Sequence, residues 1–209
     1  MKSEFWHERW QSGRIGFHQT QVNCFLQRYW SVLMATGEGR VLVPLCGKSR
    51  DMLWLREQGH EVTGVELSDL ACQAFMSELG ADAPARQEAG FAVREHEGLQ
   101  LLCGDFFVLP EASYAEVRWV YDRAALIAFP ADMRRAYAQS LIHNLPEGVA
   151  MLLITLEFDD QQGPPFSVSE PEVRELYSER FEVEKLVTER SVGCGGRAEA
   201  ESVYVLRDK

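Results

Sequence analysis

The sequence predicts an α/β fold, in which a mostly parallel β-sheet is covered by helices on both faces. Short aliphatic and β-branched runs alternate along the chain with segments of helical periodicity. These runs are apolar at nearly every position, which is typical of strands buried on both faces. Glycine and proline separate the runs without clustering into a linker, so we expect residues 1–209 to form a single domain. Ligands of such sheets bind at the carboxyl ends of the strands.

Seven strands are predicted. Five of them form the body of the sheet: Arg40 to Leu45, Glu61 to Leu67, Leu99 to Cys103, Val117 to Tyr121 and Val149 to Leu156. Two more, Phe181 to Glu189 and Ser202 to Arg207, are joined by a loop over residues 191–197. A closing hairpin of this kind predicts at least one antiparallel strand at the edge of the sheet.

Helices are predicted both between the strands and before the first one. Three of them begin at a capping residue: Ser49 to Gln58, Ser68 to Leu79 and Asp132 to Asn144. Gly59 and Gly80 follow the first two and are expected to terminate them. Two further helices, over residues 3–12 and roughly 21–35, are rich in tryptophan and other aromatics. We expect residues 1–36 to form a helical cap, or lid, over the strand ends.

Composition limits the classes of partner. The chain has 21 lysines and arginines against 32 acids, which gives a formal net charge of −11. This charge repels a phosphate backbone or an anionic bilayer, so we expect no nucleic acid and no membrane partner. The five cysteines include no Cys-x-x-Cys pair, which predicts no metal site and favours a reducing, cytoplasmic location. Residues 1–12 are too charged for a secretory signal.

The loop after the first strand determines which nucleotide chemistry is favoured. Its Gly47-Lys48-Ser49 suggests a phosphate-binding loop, but that motif requires a glycine at position 42, where this chain has Leu42 inside a strand. The dinucleotide fingerprint Gly-x-Gly-x-x-Gly is also incomplete, since Gly47 alone is present between strand and helix. A cofactor without a pyrophosphate is therefore favoured over ATP or a nicotinamide dinucleotide.

Acidic residues follow the next two strands. Glu66 ends the second strand 19 positions after Gly47, where an acid accepts hydrogen bonds from ribose hydroxyls. S-adenosylmethionine supplies such a ribose without phosphates. Asp105 follows the third strand, where it can accept from an adenine amino group while Phe106 or Phe107 packs on the ring. The alternative for Glu66 is a surface glutamate. The alternative for Asp105 is a capping or turn aspartate, and that for Phe106 or Phe107 is a core phenylalanine.

These residues belong to six short blocks that occur in order along the chain. The blocks are Phe5-Trp6-x-x-x-Trp10, Gly16-Phe17-His18-Gln19, Pro44-Leu45-Cys46-Gly47-Lys48, Gly59-His60-x-Val62-x-Gly64-Val65-Glu66, Tyr121-Asp122-Arg123-Ala124-Ala125-Leu126 and Gly163-Pro164-Pro165-Phe166. With them the chain resembles the thiopurine S-methyltransferase family, a branch of the class I methyltransferases. The resemblance runs from Trp6 to the last strand, and Pro-Leu-Cys-Gly-Lys is its most specific block.

The resemblance implies a fold and an activity. The fold is Rossmann-like, with a mostly parallel seven-stranded sheet, an antiparallel terminal strand and an N-terminal helical lid. The activity is transfer of a methyl group from S-adenosylmethionine to a thiopurine or aromatic thiol, or to a selenium or tellurium compound, by a monomeric enzyme. The family's cofactor-contacting residues fall on Trp10, Leu45, Glu66 and Arg123. The correspondence extends to Trp6, Phe17, Gly47 and the turn from Gly104 to Phe106.

The physical chemistry of the aromatic and cationic residues agrees with these roles. Trp6 and Trp10 are four residues apart, so they share one helix face and can close over the methionyl end of the cofactor. The alternative is an aromatic stripe that packs the helix on the core. Arg123 is expected beside the position that the methyl acceptor must occupy, where it can stabilise an anionic thiolate or selenolate. The alternative for Arg123 is an ion pair with Asp122 or with a neighbouring helix.

Several assignments stay open from sequence. A water beside Asp122 or His18 could take the acceptor's proton. Either Arg190 or Arg197 could be a second arginine in the acceptor pocket. Cys46 lies between apolar residues and a glycine and is interpreted as a packing residue. The remaining alternatives for the whole chain are a nicotinamide-dependent dehydrogenase and a non-catalytic nucleoside-sensing module, which would need no acceptor pocket.

Overall fold

The computed structural model describes residues 3–33, 39–81, 83–159, 163–192 and 198–209. Within them, one sheet contains nine strands in the order β3-β4-β5-β2-β1-β6-β7-β9-β8. The strands are β1 (Arg40–Pro44), β2 (Glu61–Glu66), β3 (Arg86–Glu88), β4 (Phe91–His96), β5 (Leu99–Cys103), β6 (Val117–Arg123), β7 (Ala150–Glu157), β8 (Phe181–Val192) and β9 (Ala198–Asp208). The helices are α1 (Ser3–Gln11), α2 (Cys24–Leu33), α3 (Asp51–Glu57), α4 (Asp69–Glu78), α5 (Ala131–Asn144) and α6 (Glu170–Tyr177).

The centre of the sheet is parallel, as the alternating pattern predicts. Strand β1 pairs with β2 and β6, β2 pairs with β5, and β6 pairs with β7, all in parallel. Both faces of the sheet are buried in separate apolar clusters, which explains why the central strands lack polar alternation. The predicted α/β class is confirmed.

The strand count differs from the predicted seven because a short hairpin extends the sheet beyond β5. Strands β3 and β4 pair with each other and β4 pairs with β5, all antiparallel. The three residues of β3 are exposed, and in β4 only Phe91, Ala92 and Val93 are apolar before three polar residues follow. A strand exposed on both faces carries no apolar run, so the hydrophobic pattern did not indicate it.

The closing hairpin is confirmed. Strand β9 runs antiparallel to both β7 and β8, so the two last strands form the other edge of the sheet. Strand β8 continues beyond its predicted end at Glu189, and β9 begins before Ser202 and ends at Asp208. The added segments contain charged residues, so the apolar runs stop short of the paired region. The part of the predicted loop at residues 193–197 lies outside the described residues.

Two of the predicted helix starts need correction. Helix α3 begins at Asp51, and Ser49 accepts a 3.2 Å hydrogen bond from the Asp51 amide instead of opening the helix itself. Helix α5 begins at Ala131 after Pro130, so Asp132 lies within the first turn. A proline just before the first turn presets the backbone dihedral there, and no side-chain cap is used.

The other helix signals hold. Ser68 caps α4 by accepting a hydrogen bond from the Ala71 amide at 3.4 Å. Gly59 and Gly80 follow α3 and α4 with positive φ angles of +93° and +67°, the left-handed conformation typical of helix ends. Helix α6 was not predicted, because its eight residues offer little more than two turns of periodicity.

The two N-terminal helices occupy different places. Helix α2 buries Phe25, Leu26 and Trp30 in the apolar cluster on one face of the sheet. Helix α1 has Trp10 as its buried residue and lies with the following loop at the strand ends. The lid over the strand ends is therefore formed by α1 and the loop after it. None of the described helices is both long enough and apolar enough to cross a bilayer.

The outermost strands of the sheet are highly charged. In β3, Arg86 forms ion pairs with Glu88 at 2.9 Å and with Glu95 of β4 at 2.8 Å. In β8, Glu184 pairs with Arg207 at 2.9 Å and Glu189 pairs with Arg28 at 2.5 Å. Both edges of the sheet thus end in charged, solvent-exposed side chains.

Candidate active site

A cavity of about 660 Å³ lies at the carboxyl ends of the parallel strands, under α1. The predicted site residues come from segments that are far apart in the sequence. All of them line this cavity: Trp6, Trp10, Phe17, Leu45, Gly47, Glu66, Asp105, Phe106 and Arg123. His18 also lines it. This position is where open α/β sheets bind ligands.

Glu66 is the buried carboxylate at one end of the cavity. Its Oε2 accepts a 2.8 Å hydrogen bond from the Gly47 amide, and its Oε1 accepts a 2.7 Å hydrogen bond from the Ser68 amide. Burial raises the pKa of Glu66 to about 7, and these amide donors oppose the shift. Each carboxylate oxygen keeps a further lone pair that can accept a hydroxyl donor from a ligand.

The turn from Leu45 to Gly47 forms the floor beside Glu66. Leu45 and Gly47 have φ angles of +48° and +55°. A Cβ on Gly47 would lie 3.1 Å from the Trp10 ring, so glycine permits both the turn and the approach of the tryptophan. The Cys46 thiol between them is buried, and burial raises its pKa well above the ordinary value. Cys46 therefore stays protonated, consistent with a packing role.

Three aromatic rings cover one side of the cavity. Phe17 contacts Trp6 at 5.7 Å and Trp10 at 5.6 Å between ring centroids, in both cases edge to face. Trp10 is 8% exposed, yet it belongs to neither of the two apolar clusters of the sheet. Its neighbours are the Phe17 ring and the Gly47 turn. The side chain therefore packs against the lid and the floor of the cavity.

The Asp105 turn has the capping aspartate and the core phenylalanine that were named as alternatives. The Asp105 carboxylate accepts a 3.0 Å hydrogen bond from the Phe107 amide and so caps a short helical turn. Phe106 is buried and its ring lies 5.1 Å from that of Tyr137, which makes it a core residue. Asp105 is exposed and both residues line the cavity, so capping does not prevent contact with a ligand.

Arg123 faces the cavity, whereas Asp122 does not. The Arg123 guanidinium donates a 3.1 Å hydrogen bond from Nη1 to the carbonyl of Phe17 in the lid loop. Asp122 is fully buried and accepts hydrogen bonds from the Tyr137 hydroxyl at 2.7 Å and the Leu126 amide at 3.1 Å. Successive residues of a strand point to opposite faces. Asp122 therefore forms no ion pair with Arg123, and it does not face the cavity where a proton would be accepted. Both of these alternatives are wrong.

Three further residues were considered from sequence: His18 as a place for a proton-accepting water, and Arg190 or Arg197 as a second arginine of the pocket. Burial lowers the pKa of His18, and Lys48 lowers it further, so this imidazole is largely neutral near pH 7. Arg190 is exposed at the end of β8 and is absent from the described lining of the cavity. Arg197 lies outside the described residues.

Sequence reasoning missed the contribution of β9 to this site. Glu199 and Glu201 line the cavity at the side away from Glu66. The last apolar run predicts a strand from Ser202, whereas the ladder begins at Ala198 and brings both glutamates beside β7. Extending the period-two alternation backwards past Ser202 would have placed them on the same face as Val203.

Comparison with known proteins assigns the family. A family model described as thiopurine S-methyltransferase (TPMT) matches residues 1–209. The chain belongs to this family. The thiopurine S-methyltransferase of Marinobacter nauticus is 44% identical over 189 residues, which cover 90% of this chain and 86% of that protein. That of Nitrosospira multiformis is 47% identical over 188 residues, which cover 89% and 86%.

Solved structures share the fold at low identity. One is a Burkholderia thailandensis 1,6-didemethyltoxoflavin-N1-methyltransferase with bound 1,6-didemethyltoxoflavin and S-adenosylhomocysteine. It has a TM-score of 0.63 at 17% identity and covers 99% of this chain and 87% of its own. TehB from Haemophilus influenzae has a TM-score of 0.62 at 13% identity and covers 97% and 67%.

This member of the thiopurine S-methyltransferase family is an S-adenosylmethionine-dependent methyltransferase. The cavity fits that cofactor, because a turn in which a Cβ on Gly47 would crowd the Trp10 ring lies beside a buried carboxylate that has free lone pairs. The dehydrogenase and the sensing-module alternatives are therefore wrong.

Replacing Trp10 with alanine is expected to raise the dissociation constant of S-adenosylhomocysteine about tenfold, because one aromatic face of the site is lost. The melting temperature of the cofactor-free protein should change little, since Trp10 packs outside both apolar clusters. Calorimetric titration and thermal unfolding of parent and variant test this. A loss of several kcal/mol in unfolding free energy would instead identify Trp10 as a core residue.

Proposed function

We propose that this enzyme methylates the sulfur of thiopurines and other aromatic thiols, and that selenols and tellurium analogues are further acceptors. The observation that carries this proposal is the position of Arg123, which faces the half of the cavity beyond Glu66. Apolar residues surround it there, among them Ile154, Leu156 and Pro165. A flat aromatic ring with an anionic sulfur suits a site that combines apolar walls with one cation.

The cofactor half is proposed to use the turn residues and the lid. Glu66 accepts hydrogen bonds from the ribose hydroxyls, Leu45 and Gly47 contact the cofactor through the turn, and Asp105 with Phe106 holds the adenine. Trp6 and Trp10 exclude water from the methionyl end. S-adenosylmethionine, when bound, supplies an electrophilic methyl group on a sulfonium.

The acceptor half is proposed to act by positioning and charge. The Arg123 guanidinium lowers the pKa of the acceptor sulfur by stabilising its anion, and the bond to the Phe17 carbonyl holds that guanidinium in place. Phe17 packs on the acceptor ring from the lid side. Most of the acceleration then comes from proximity and orientation of the two sulfurs.

A purified-enzyme assay tests the acceptor class. Parent enzyme with S-adenosylmethionine is offered 6-mercaptopurine, thiophenols, an aromatic selenol and, as matched controls, the corresponding phenol and aniline. Methylation of the sulfur and selenium acceptors alone is expected, with S-adenosylhomocysteine formed in equal amount. Preferential methylation of the phenol or the aniline would contradict the proposal. The monomeric state and the cytoplasmic location remain predictions.

A further inference from the structure

Glu201 and Arg123 both line the acceptor half of the cavity, on strands that are separated by β7. In the sheet, Arg123 of β6 is paired with Ile154 of β7, and Glu201 of β9 is paired with Leu156, two residues further along β7. Neighbouring strands are about 4.8 Å apart, so β6 and β9 are separated by roughly 10 Å. Both side chains line the cavity.

The Glu201 carboxylate has the environment of a proton acceptor. It is partly buried, and among the described residues no group donates a hydrogen bond to its side chain. Burial raises the pKa of the Glu201 carboxyl, the charge of Arg123 opposes this rise, and Glu189 and Glu199 add to it. A carboxylate with free lone pairs and an elevated pKa is suited to accept a proton near neutral pH.

Other acids and bases near the site are less suitable. Asp122 is buried on the opposite face of β6, and both its oxygens already accept hydrogen bonds. Glu66 lies at the ribose end. Burial and the charge of Lys48 lower the pKa of His18, so its imidazole is a weaker base than an ordinary histidine.

We propose that Glu201 is the catalytic residue that removes the proton from the methyl acceptor. This inference rests on the proposed function and concerns acceptors that enter the site as neutral thiols. The S–H proton moves to a Glu201 carboxylate oxygen, and the electron pair of that bond stays on the acceptor sulfur as the thiolate that Arg123 stabilises. The thiolate forms the new S–CH3 bond, and the electrons of the broken methyl–sulfonium bond remain on the cofactor sulfur. Glu201 then releases the proton to solvent through the open side of the cavity.

The test is the dependence of rate on thiol acidity in Glu201→Gln, which keeps the shape of the side chain and removes its basicity. For weakly acidic thiols, we expect kcat/KM to fall about 100-fold. For a strongly acidic thiol such as 4-nitrothiophenol, which is already ionised, the fall should be less than about threefold, since no proton is left to remove. Glu201→Asp, which keeps the carboxylate, should recover part of the lost rate with the weakly acidic thiols.

The control variant is Glu189→Gln, on the neighbouring strand. Glu189 is the sheet partner of Glu201, but it is exposed, pairs with Arg28 and is absent from the described cavity lining. Its charge contributes less than burial to the pKa of Glu201, so its loss should leave all rates within about twofold of the parent. The dissociation constant of S-adenosylhomocysteine should match the parent in both glutamine variants, which also verifies folding.

Two outcomes overturn the proposal, and they are distinguishable. If the parent methylates thiols and Glu201→Gln slows all of them equally, or accelerates them, then Glu201 is a positioning or a repelling charge and the proton leaves by another route. If the parent methylates no thiol, the proposed function fails, and the role of Glu201 fails with it.

Discussion

Replacement of Glu66 by alanine is expected to weaken S-adenosylhomocysteine binding by about 1.5–3 kcal/mol, or roughly 10- to 150-fold. The variant loses a charged acceptor for the ribose hydroxyls, and the amides of Gly47 and Ser68 lose the acceptor that holds the turn. Because Glu66 faces a solvent-accessible cavity, water can satisfy these amides and the fold should persist. Calorimetric titration measures the loss of affinity.

The pH dependence of the same titration checks the cause. Burial raises the pKa of Glu66 to about 7, and the ionised form is the better acceptor. The parent's affinity should therefore fall as the pH drops from about 8 to 6, and the affinity of the alanine variant should vary much less. Glu61→Ala serves as the control, since Glu61 begins the same strand, is exposed and pairs with Arg40 at 2.6 Å. Equal affinity of the Glu66 variant and the parent would contradict the ribose assignment.

Replacement of Arg123 by lysine should lower the rate of methyl transfer to weakly acidic thiols by about 100-fold, the scale for loss of one oriented donor to a developing anion. Lysine keeps the positive charge but lacks the planar group that donates to the Phe17 carbonyl while facing the acceptor. Free-enzyme stability should change by less than about 1 kcal/mol, because Arg123 is only partly buried and its side chain forms one hydrogen bond to the described residues.

The decisive measurement is the pH–rate profile with a series of aromatic thiols. Loss of a stabilising cation should slow the least acidic thiols most and move the rise in rate to higher pH. Arg118→Lys is the matched control, because Arg118 lies on the same strand but is exposed at its opposite end. An equal loss for every thiol, with no change in the pH profile, would reduce Arg123 to a residue that only positions the acceptor.

The sequence predicts the features that depend on local pattern. The central strands were identified because they are apolar throughout, and Glu66 and Gly47 because they end or follow such strands. Features that depend on pairing between distant segments were missed. Glu201 reaches the site through an antiparallel strand at the end of the chain, and no local motif marks it. Asp122 is a candidate from sequence for holding a proton-accepting water, but strand geometry turns it to the opposite face.

The charged outer strands bear on how the protein behaves at high concentration. A sheet with open edges offers unpaired amides and carbonyls to any other extended segment, including the edge of a second molecule. Here an approaching strand at β3 would meet Arg86 and Glu88, and one at β8 would meet Glu184 and Glu189. Edge-to-edge growth would have to desolvate these side chains, which makes it unfavourable. We expect the folded enzyme to resist fibrillar aggregation even though its sheet is open at both ends.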